Sequence, residues 1–456
     1  MYQCSCSKTK ANPTKNKPTL KFYSTRHQSP ETDWNTALMQ GLPDDNGLYM
    51  PESIKPLPKT FWDNADQYSF EELAFEVAKC LLQDAVPHDD LRQIVERATG
   101  IDVPIVPLTE HIACLELFHG PSFAFKDFGA RFMAQMMAYS IANEDNPPTC
   151  HILTATSGDT GGAVAQGFLG APNIKVIILY PSGKISDIQE KQLTTLQSNI
   201  TAVEIDGTFD NCQQLVKQAF LDAELRKHKL LSSANSINLA RLIPQTFYYV
   251  WAYARNLKSG KPLLVSVPSG NFGNLCAGLI AKRIGMPVAR FIAANNANDV
   301  FTQYHKTGNF QPKSSVKTLS NAMDVGNPSN LQRIQDLYKH DLNLIRDDIA
   351  AYSFDDQQTL HAIQEVYDKH QYIVCPHTAV AYLGLTTYME QHPQHQNAQG
   401  LFLGTAHPVK FYDMVEPALQ IKIPIPQQLQ QLMDRPKESI PMKPNFDTFK
   451  DFLMNF

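Results

Sequence analysis

The chain lacks the features of a membrane-spanning or exported protein. No apolar run approaches the roughly 20 residues that span a bilayer, and the first residues contain no apolar signal core. Positive charge is not in excess either, because 40 Lys and Arg residues stand against 45 Asp and Glu residues, a net charge of −5. A nucleic-acid backbone would meet no basic field. We therefore expect a soluble cytoplasmic protein that binds neither membranes nor nucleic acid.

Cysteine is also scarce. Eight cysteines are scattered singly along 456 residues, apart from Cys4 and Cys6, and none has a partner at zinc-site spacing with histidines nearby. This pattern is typical of reduced thiols and predicts no metal site. The length is ample for a large core and for two or three domains.

The chain changes character twice in its first hundred residues. Residues 1–20 are polar and basic with few apolar positions, which predicts a flexible extension. Residues 21–100 mix helical periodicity, as in SFEELAFEVAKCLLQDAV, with turn-rich stretches such as GLPDDNGLYMP. This mixture predicts a small N-terminal domain.

Beyond residue 100, short apolar runs alternate with helix-length segments. The runs are CHILTAT (150–156), KVIILY (175–180), TAVEID (201–206), PLLVSVP (262–268) and ARFIAA (289–294). Nearly continuous apolar strands are typical of a sheet buried on both faces. Segments such as NCQQLVKQAFLDAELRKH and LCAGLIAKRIG supply the intervening helices. The alternation predicts an α/β fold with parallel sheets covered by helices.

Two loops that follow predicted strands are rich in small residues. TATSGDTGGAV (154–164) and VPSGNFGNLCAG (267–278) each open a helix. Ligands of parallel sheets bind at such junctions, where backbone N–H groups and hydroxyls can receive an anion. Gly270 and Gly273 remove the Cβ atoms that would keep a phosphate from the backbone. Neither loop has a Walker Gly-Lys-Ser/Thr or reads G-x-G-x-x-G, so nucleotide binding is not favoured.

A single lysine stands out in FHGPSFAFKDFGARF (118–132). Lys126 follows an apolar run and precedes an acid, an aromatic residue and a glycine. A lysine partly removed from water has a lowered pKa, and its neutral amine can form a Schiff base with an aldehyde. A surface lysine at a helix start is the plain alternative. Together with a phosphate-binding loop, the reactive amine points to a cofactor with both an aldehyde and a phosphate, pyridoxal 5′-phosphate.

Five ordered motifs resemble the threonine synthase family of fold-type II pyridoxal-phosphate enzymes. They are ELFHGPSFAFKDFGARF, TATSGDTGGAV, VPSGNFGN, AMDVGNPSN and FLGTAHPVKF, and the early FYSTR and GLPDDNGLYMPE also match. The resemblance runs from about residue 21 to residue 413. It implies a fold similar to the tryptophan synthase β chain, with a catalytic domain of two parallel-sheet lobes over residues 101–430. Residues 431–456 are expected to form a C-terminal segment.

The resemblance also implies roles for individual residues. Lys126 corresponds to the Schiff-base lysine, and Thr405 to the residue whose hydroxyl meets the pyridine nitrogen. The residues expected to hold the cofactor phosphate are Gly270, Asn271, Phe272, Gly273 and Asn274. The residues of the loop that receives the substrate carboxylate are Ser157, Asp159 and Thr160.

The reaction implied is the conversion of O-phospho-L-homoserine and water to L-threonine and phosphate by a lyase that is expected to be a monomer. The residues expected to bind the substrate phosphate are Lys184, Ser236, Asn238 and Arg241. Cys375 stands where relatives commonly have Asp, and a small buried role is expected for it. Two alternatives remain open: another fold-type II lyase such as a serine/threonine dehydratase, and a non-catalytic pyridoxal-phosphate-binding protein of this family.

Overall fold

The computed structural model describes residues 20–456. The flexible extension predicted for residues 1–20 lies outside this range except for its last residue. Leu20 is 3 % exposed and packs into the main hydrophobic core, so the folded domain starts earlier than the predicted boundary. No helix in residues 20–456 is long and apolar enough to cross a membrane.

The N-terminal domain combines a two-stranded antiparallel sheet with four helices. Its elements are β1 (Phe22–Ser24), α1 (Trp34–Gln40), β2 (Tyr49–Pro51), α2 (Lys59–Asp63), α3 (Phe70–Leu82) and α4 (His88–Thr99). The helix predicted at residues 69–86 is α3, and it begins at a capping box in which Ser69 and Glu72 each bond the other's backbone N–H. Its buried face packs against α4. The N-terminal domain is thus predominantly helical.

A six-stranded sheet forms the larger lobe. Its strands are β3 (Ile105–Pro107), β4 (Ile112–Glu116), β9 (Leu263–Pro268), β10 (Arg290–Asn295), β11 (Ile349–Ser353) and β12 (Gln399–Gly404). The order across the sheet is β11-β10-β9-β12-β4-β3, and every pair is parallel except β3 with β4. β9 is buried at all six residues, as a strand covered by helices on both faces must be.

A five-stranded parallel sheet forms the smaller lobe. Its strands are β5 (Cys150–Ala155), β6 (Ile174–Pro181), β7 (Ile200–Ile205), β8 (Leu230–Ser232) and β13 (Ile440–Met442), in the order β13-β7-β6-β5-β8. The parallel α/β prediction is confirmed, and all five predicted apolar runs are strands. β13 comes from the C-terminal segment, residues 431–456, and adds an edge strand to this sheet by pairing with β7.

The remaining helices cover the two sheets. They are α5 (Lys126–Ala142), α6 (Asp159–Phe168), α7 (Asp187–Thr194), α8 (Phe209–Leu221), α9 (Ala223–His228), α10 (Leu239–Leu242), α11 (Gln245–Asn256), α12 (Gly273–Arg283), α13 (Val300–Thr307), α14 (Leu331–Leu337), α15 (Leu342–Asp348), α16 (Asp356–His370), α17 (Pro376–Gln391), α18 (Tyr412–Leu419), α19 (Gln427–Met433) and α20 (Phe446–Asn455). The motif loops follow β4, β5, β9 and β12, so they gather at the carboxyl ends of parallel strands, where such sheets bind ligands.

Candidate active site

A cavity opens where the motif loops of the two sheets meet. Of the residues predicted for the site, those that line it are Lys126, Asp159, Ser236, Arg241, residues 270–274 and Thr405. These residues come from loops or helix starts that are far apart in sequence. The structure therefore brings together ten of the fourteen predicted side chains and loop residues around one space.

The loop after β9 presents unpaired backbone amides to the cavity. In the described part of the chain, the N–H groups of residues 270–274 donate to no acceptor. Phe272 holds the turn in the left-handed region (φ +62°), and its buried ring lies 4.6 Å from that of Phe301. Because α12 begins at Gly273, the positive end of its dipole adds to these amides. The loop is suited to hold an anion such as a phosphate.

Neighbouring segments fix the shape of this loop. The Asn271 side chain donates to Ser236 Oγ at 3.1 Å and accepts from the Ser329 N–H at 2.6 Å. A Cβ on Gly270 would lie 2.6 Å from Met323 Cα, which is closer than real contacts allow. The segment around Met323 therefore packs directly on the loop, and only glycine fits at position 270.

Lys126 begins helix α5 with its amine facing the cavity. Its Nζ forms no hydrogen bond or ion pair within residues 20–456, and it lies 5.2 Å from the centre of the Phe125 ring. Burial lowers the pKa of Lys126 below its ordinary value; Asp159 opposes this change, whereas Lys410 and Arg241 add to it. The result is an amine with an increased neutral fraction, as a nucleophile requires.

Thr405 lies beside Lys126 through a short antiparallel contact. Ala124 pairs with Ala406, and the Thr405 carbonyl accepts from the Phe125 N–H at 2.9 Å. The Thr405 side chain is 4 % exposed and has no hydrogen-bond partner in the described residues. Its hydroxyl is therefore available to a group bound in the cavity.

Asp159 is paired with a lysine that the sequence analysis did not single out. Lys410 Nζ lies 2.7 Å from Asp159 Oδ1, and the same oxygen accepts from Gln189 Nε2 at 3.0 Å. Burial alone would raise the pKa of Asp159, but the ammonium groups of Lys410 and Lys126 outweigh it and hold the pKa well below its usual range. Asp159 is thus a carboxylate at neutral pH.

Arg241 supplies a buried positive charge to another part of the cavity wall. It is 3 % exposed, its Nη1 donates to the Ala234 carbonyl, and its Nε has no partner in the described residues. Burial lowers the pKa of Arg241 to about 10, and Asp127 partly opposes that change. The guanidinium remains charged at neutral pH and keeps donor capacity for an anion.

Comparisons with known proteins agree with this geometry. Family profiles described as "Threonine synthase N terminus", "Pyridoxal-phosphate dependent enzyme" and "Threonine synthase, C-terminal" match residues 21–99, 105–402 and 378–453. The threonine synthase of Haemophilus influenzae is 43 % identical over 439 residues, which cover 95 % of this chain and 100 % of that protein. The chain belongs to the threonine synthase family.

Solved structures of threonine synthases share the whole fold. The Escherichia coli enzyme has a TM-score of 0.87 at 41 % identity, covering 95 % of this chain and 99 % of its own. The threonine synthase of Brucella melitensis with bound pyridoxal phosphate has a TM-score of 0.90 at 31 % identity, with 96 % and 99 % covered. The chain is thus a fold-type II pyridoxal-phosphate-dependent lyase, and pyridoxal 5′-phosphate is its cofactor.

The residues that line the cavity match the chemical groups of pyridoxal phosphate. The unpaired amides of residues 270–274 match a phosphate, and the free amine of Lys126 matches an aldehyde. The unpartnered Thr405 hydroxyl can meet a ring nitrogen either as a donor or as an acceptor. All three groups line the same cavity.

Four of the predicted substrate residues do not line the cavity. Lys184 is exposed and is not among the residues that line the cavity. Asn238 caps α10: its Oδ1 accepts from the Ala240 N–H at 2.9 Å and its Nδ2 donates to the Leu38 carbonyl at 2.8 Å. Lys184 and Asn238 lie outside the lining of this cavity, and their contact with a bound phosphate stays a prediction.

The loop before α6 holds the other two predicted residues. Ser157 is exposed and Thr160 is partly buried. The buried Thr156 hydroxyl accepts from the N–H groups of Gly158 and Gly161 at 3.0 and 2.8 Å, so these amides serve the fold. The amides left for a ligand are those at the very start of α6.

His377 faces the cavity as a neutral side chain. Its Nε2 accepts from the Ala322 N–H at 3.1 Å, which places the ring proton on Nδ1. Burial lowers the pKa of His377 to about 4, and burial also raises that of Cys375. The hydrogen bond to His377 therefore holds the loop around Met323 against α17. Cys375 is buried, as expected.

Proposed function

We propose that this chain converts O-phospho-L-homoserine and water into L-threonine and inorganic phosphate. The observation that carries the proposal is a second set of anion-binding donors in the cofactor cavity: the buried Arg241 guanidinium lines it together with Lys126 and the unpaired amides of residues 270–274. One phosphate belongs to the cofactor, and a substrate with its own phosphate accounts for the other.

We assign the cofactor contacts to three features of the chain. The amides of residues 270–274 hold its phosphate, Lys126 carries its aldehyde, and the Thr405 hydroxyl meets its ring nitrogen. When bound, pyridoxal phosphate supplies an electron-withdrawing ring that stabilises negative charge on the substrate carbon atoms next to its amine. A hydroxyl does not force the ring nitrogen to stay protonated, unlike a carboxylate.

Lys126 is the proton carrier of the proposed reaction. Its neutral Nζ removes the proton from the substrate Cα, and because Lys126 lines the cavity it can also remove a proton from Cβ. Phosphate leaves from Cγ with its bonding electrons, and Cγ then takes up a proton to become the methyl group. Water adds its hydroxyl at Cβ, and Cα regains its proton to give threonine. Arg241 stabilises the charge that grows on the departing phosphate.

The substrate carboxylate belongs at the start of α6 in this proposal. The residues assigned to it are Ser157, Asp159 and Thr160, whose backbone amides stand at the positive end of the helix. The Asp159 side chain is already bound to Lys410 and Gln189, so it is the backbone of this residue that can receive the anion.

We further propose that the chain works as a cytoplasmic monomer. The six cysteines in residues 20–456 form no disulfide, which is typical of a reducing compartment. The residues that line the cavity, among them Lys126, Arg241 and residues 270–274, all come from one chain. Size-exclusion chromatography with light scattering tests the monomer, and a dimer would contradict it.

Purified enzyme with bound cofactor tests the proposed reaction directly. Phosphate release and threonine formation from O-phospho-L-homoserine are expected, in equal amounts. Pyruvate from serine or 2-oxobutyrate from threonine, at rates above that of phosphohomoserine, would instead identify a dehydratase. Cofactor binding without turnover of any of these substrates would identify a non-catalytic binding protein.

A further inference from the structure

Lys410 is a second buried lysine close to the reactive one. It belongs to a short 3₁₀ helix, Pro408–Phe411, that follows β12, and its side chain is 0 % exposed. Its Nζ contacts Asp159 Oδ1 at 2.7 Å and donates to the Ser122 carbonyl at 2.8 Å. Ser122 stands four residues before Lys126. Lys410 thus connects the loop before Lys126, the segment after β12 and the start of α6.

The ammonium groups of Lys410 and Lys126 both lower the pKa of Asp159, but the carboxylate is bonded to one of them. Lys410 forms the ion pair, whereas Lys126 has no ion pair within residues 20–456. Gln189 holds Asp159 Oδ1 from the α7 side, at 3.0 Å. The carboxylate is therefore oriented toward Lys410 by contacts that do not involve Lys126.

We propose that Lys410 is a positioning residue that occupies Asp159 and so leaves the Lys126 amine unpaired and free to react. The inference rests on the role of Lys126 in the proposed function. Lys410 does not line the cavity. It acts through Asp159 and through the Ser122 carbonyl.

The charges around Lys126 explain why this pairing matters. Asp159 from α6 favours an ammonium, Lys410 and Arg241 disfavour one, and Cys375, directly before α17, is a protonated thiol. His377, from α17, is neutral. Without Lys410, the buried Asp159 would lose its partner, and Lys126 would be the nearest cation left to neutralise it. An ammonium held in this way cannot attack an aldehyde.

The test measures the protonation of Lys126 in the full-length chain freed of cofactor. Acetic anhydride modifies neutral amines only, and the rate at which it labels the Lys126 peptide, read by mass spectrometry across pH, gives the midpoint of deprotonation. Lys410→Met is expected to raise this midpoint by one pH unit or more, so that labelling at pH 8 slows about tenfold.

The matched control removes a lysine from a similar ion pair remote from the cavity. Lys450 contacts Asp222 at 2.9 Å and Glu224 at 2.8 Å. Lys450→Met is expected to leave the labelling of Lys126 unchanged. Equal labelling profiles for Lys410→Met and the wild type would overturn the inference.

Asp159→Asn provides a second comparison in case Lys410→Met does not fold. This change removes the carboxylate, so the midpoint pH of Lys126 deprotonation should fall below that of the wild type. Adding Lys410→Met to Asp159→Asn is expected to move this midpoint by much less than one pH unit, because Lys410 acts through the Asp159 carboxylate. A rise of one unit or more in the double variant would show that Lys410 acts on Lys126 by direct charge repulsion, and the inference would fail.

The proposed function and this inference fail in different ways. Borohydride reduction of the cofactor-bound wild type fixes the cofactor to its lysine. If that lysine is not Lys126, the proposed function is wrong. If that lysine is Lys126 but Lys410→Met does not change the rate at which Lys126 is labelled, only the present inference is wrong.

Discussion

Lys126 and Lys410 are the same residue type in two different surroundings. Lys126 faces a cavity without a hydrogen-bond partner in residues 20–456, and burial lowers its pKa. Lys410 is enclosed by a carboxylate and a carbonyl that satisfy its charge. A buried ammonium is stable only with such partners, and one without them tends to give up its proton. At the scale of single residues, the surroundings rather than the side chain decide which lysine reacts.

Replacing Lys126 by Ala is expected to abolish covalent attachment of the cofactor while leaving its phosphate held by residues 270–274. The amides of that loop do not depend on the lysine. Borohydride reduction followed by peptide mass spectrometry should find no modified lysine, and dialysis should remove the cofactor faster than from the wild type. A reduced adduct on another lysine would show that the wrong residue was chosen.

Arg241→Ala is expected to raise KM for phosphohomoserine and to lower kcat/KM at least about tenfold. A charged hydrogen bond contributes roughly 1.5–3 kcal/mol, and Arg241 is the buried cation of the wall. Saturation curves at several cofactor concentrations check the assignment. Loss of cofactor with unchanged KM after reconstitution would place Arg241 in the cofactor site instead.

The sequence predicted the residues of the cavity that carry distinctive chemistry, and it missed those that only support them. Lys410 is in the motif FLGTAHPVKF, where Pro408, Val409 and Phe411 are also buried. The signal that could have identified Lys410 is a charged side chain within a stretch of buried apolar residues. Asn238 was predicted to bind substrate, but Asn directly before a helix is more often an N-cap, and it is one here.

At the scale of elements, the loop between β9 and α12 is the part of the site that depends most on glycine. Gly270 has Met323 Cα against it, whereas a Cβ on Gly273 would have only ordinary contacts, with Asn330 Nδ2 nearest at 3.5 Å. Gly270 therefore allows the segment around Met323 to pack against the loop, and Gly273 leaves space beside the unpaired amides.

Gly270→Ala and Gly273→Ala are expected to weaken cofactor binding for different reasons. The first forces the loop away from the segment around Met323, so it should also lower the Tm of the cofactor-free chain. The second places a methyl group among cavity-lining atoms but suits the first position of a helix, so Tm should hold or rise. Thermal unfolding without cofactor, with cofactor titrations alongside, separates the two. A cofactor-free Tm lowered equally in both variants would contradict this distinction.

Elements with a strong apolar pattern were predictable, and elements fixed by distant partners were not. All five apolar runs are strands, whereas the three-residue strand β13 pairs with β7 more than two hundred residues away and has no pattern of its own. The segment NCQQLVKQAFLDAELRKH reads as one helix but is divided at Asp222, which caps α9 by accepting from the Leu225 N–H. Short strands and internal caps depend on contacts that periodicity does not contain.

At the scale of the whole molecule, Arg333 connects the N-terminal domain to the cofactor loop. Its guanidinium is 0 % exposed and donates to the carbonyls of Tyr49 and Ile237 and to Asn330 Oδ1. Asn330 in turn donates to the Asn271 carbonyl at 3.0 Å. The N-terminal domain therefore supports the loop between β9 and α12 through two buried side chains.

Arg333→Met is expected to lower the free energy of unfolding by at least about 2 kcal/mol, because each buried acceptor left without a donor costs about 1–3 kcal/mol. Cofactor affinity should fall with it, since Asn330 loses its orientation. Urea unfolding and cofactor titration measure both. Arg346→Met is the control: this partly exposed arginine also donates to two carbonyls, which water can satisfy, and a loss below about 1 kcal/mol is expected.

If cofactor affinity stayed unchanged in a destabilised Arg333→Met, the connection through Asn330 would have no functional role. The same measurement in Arg346→Met shows whether a general loss of stability is enough to release the cofactor.

The position of β12 determines when this enzyme can first become active during its synthesis. β12 lies between β9 and β4, yet β4 ends at Glu116 and β12 begins at Gln399. At roughly 5–20 residues per second, a ribosome needs on the order of 15–60 s to cover that interval. Until then the two strand edges remain open on the nascent chain, and Thr405 and Lys410 have not been made. Cofactor loading is therefore an event of the nearly finished polypeptide, and the growing chain needs protection from aggregation beforehand.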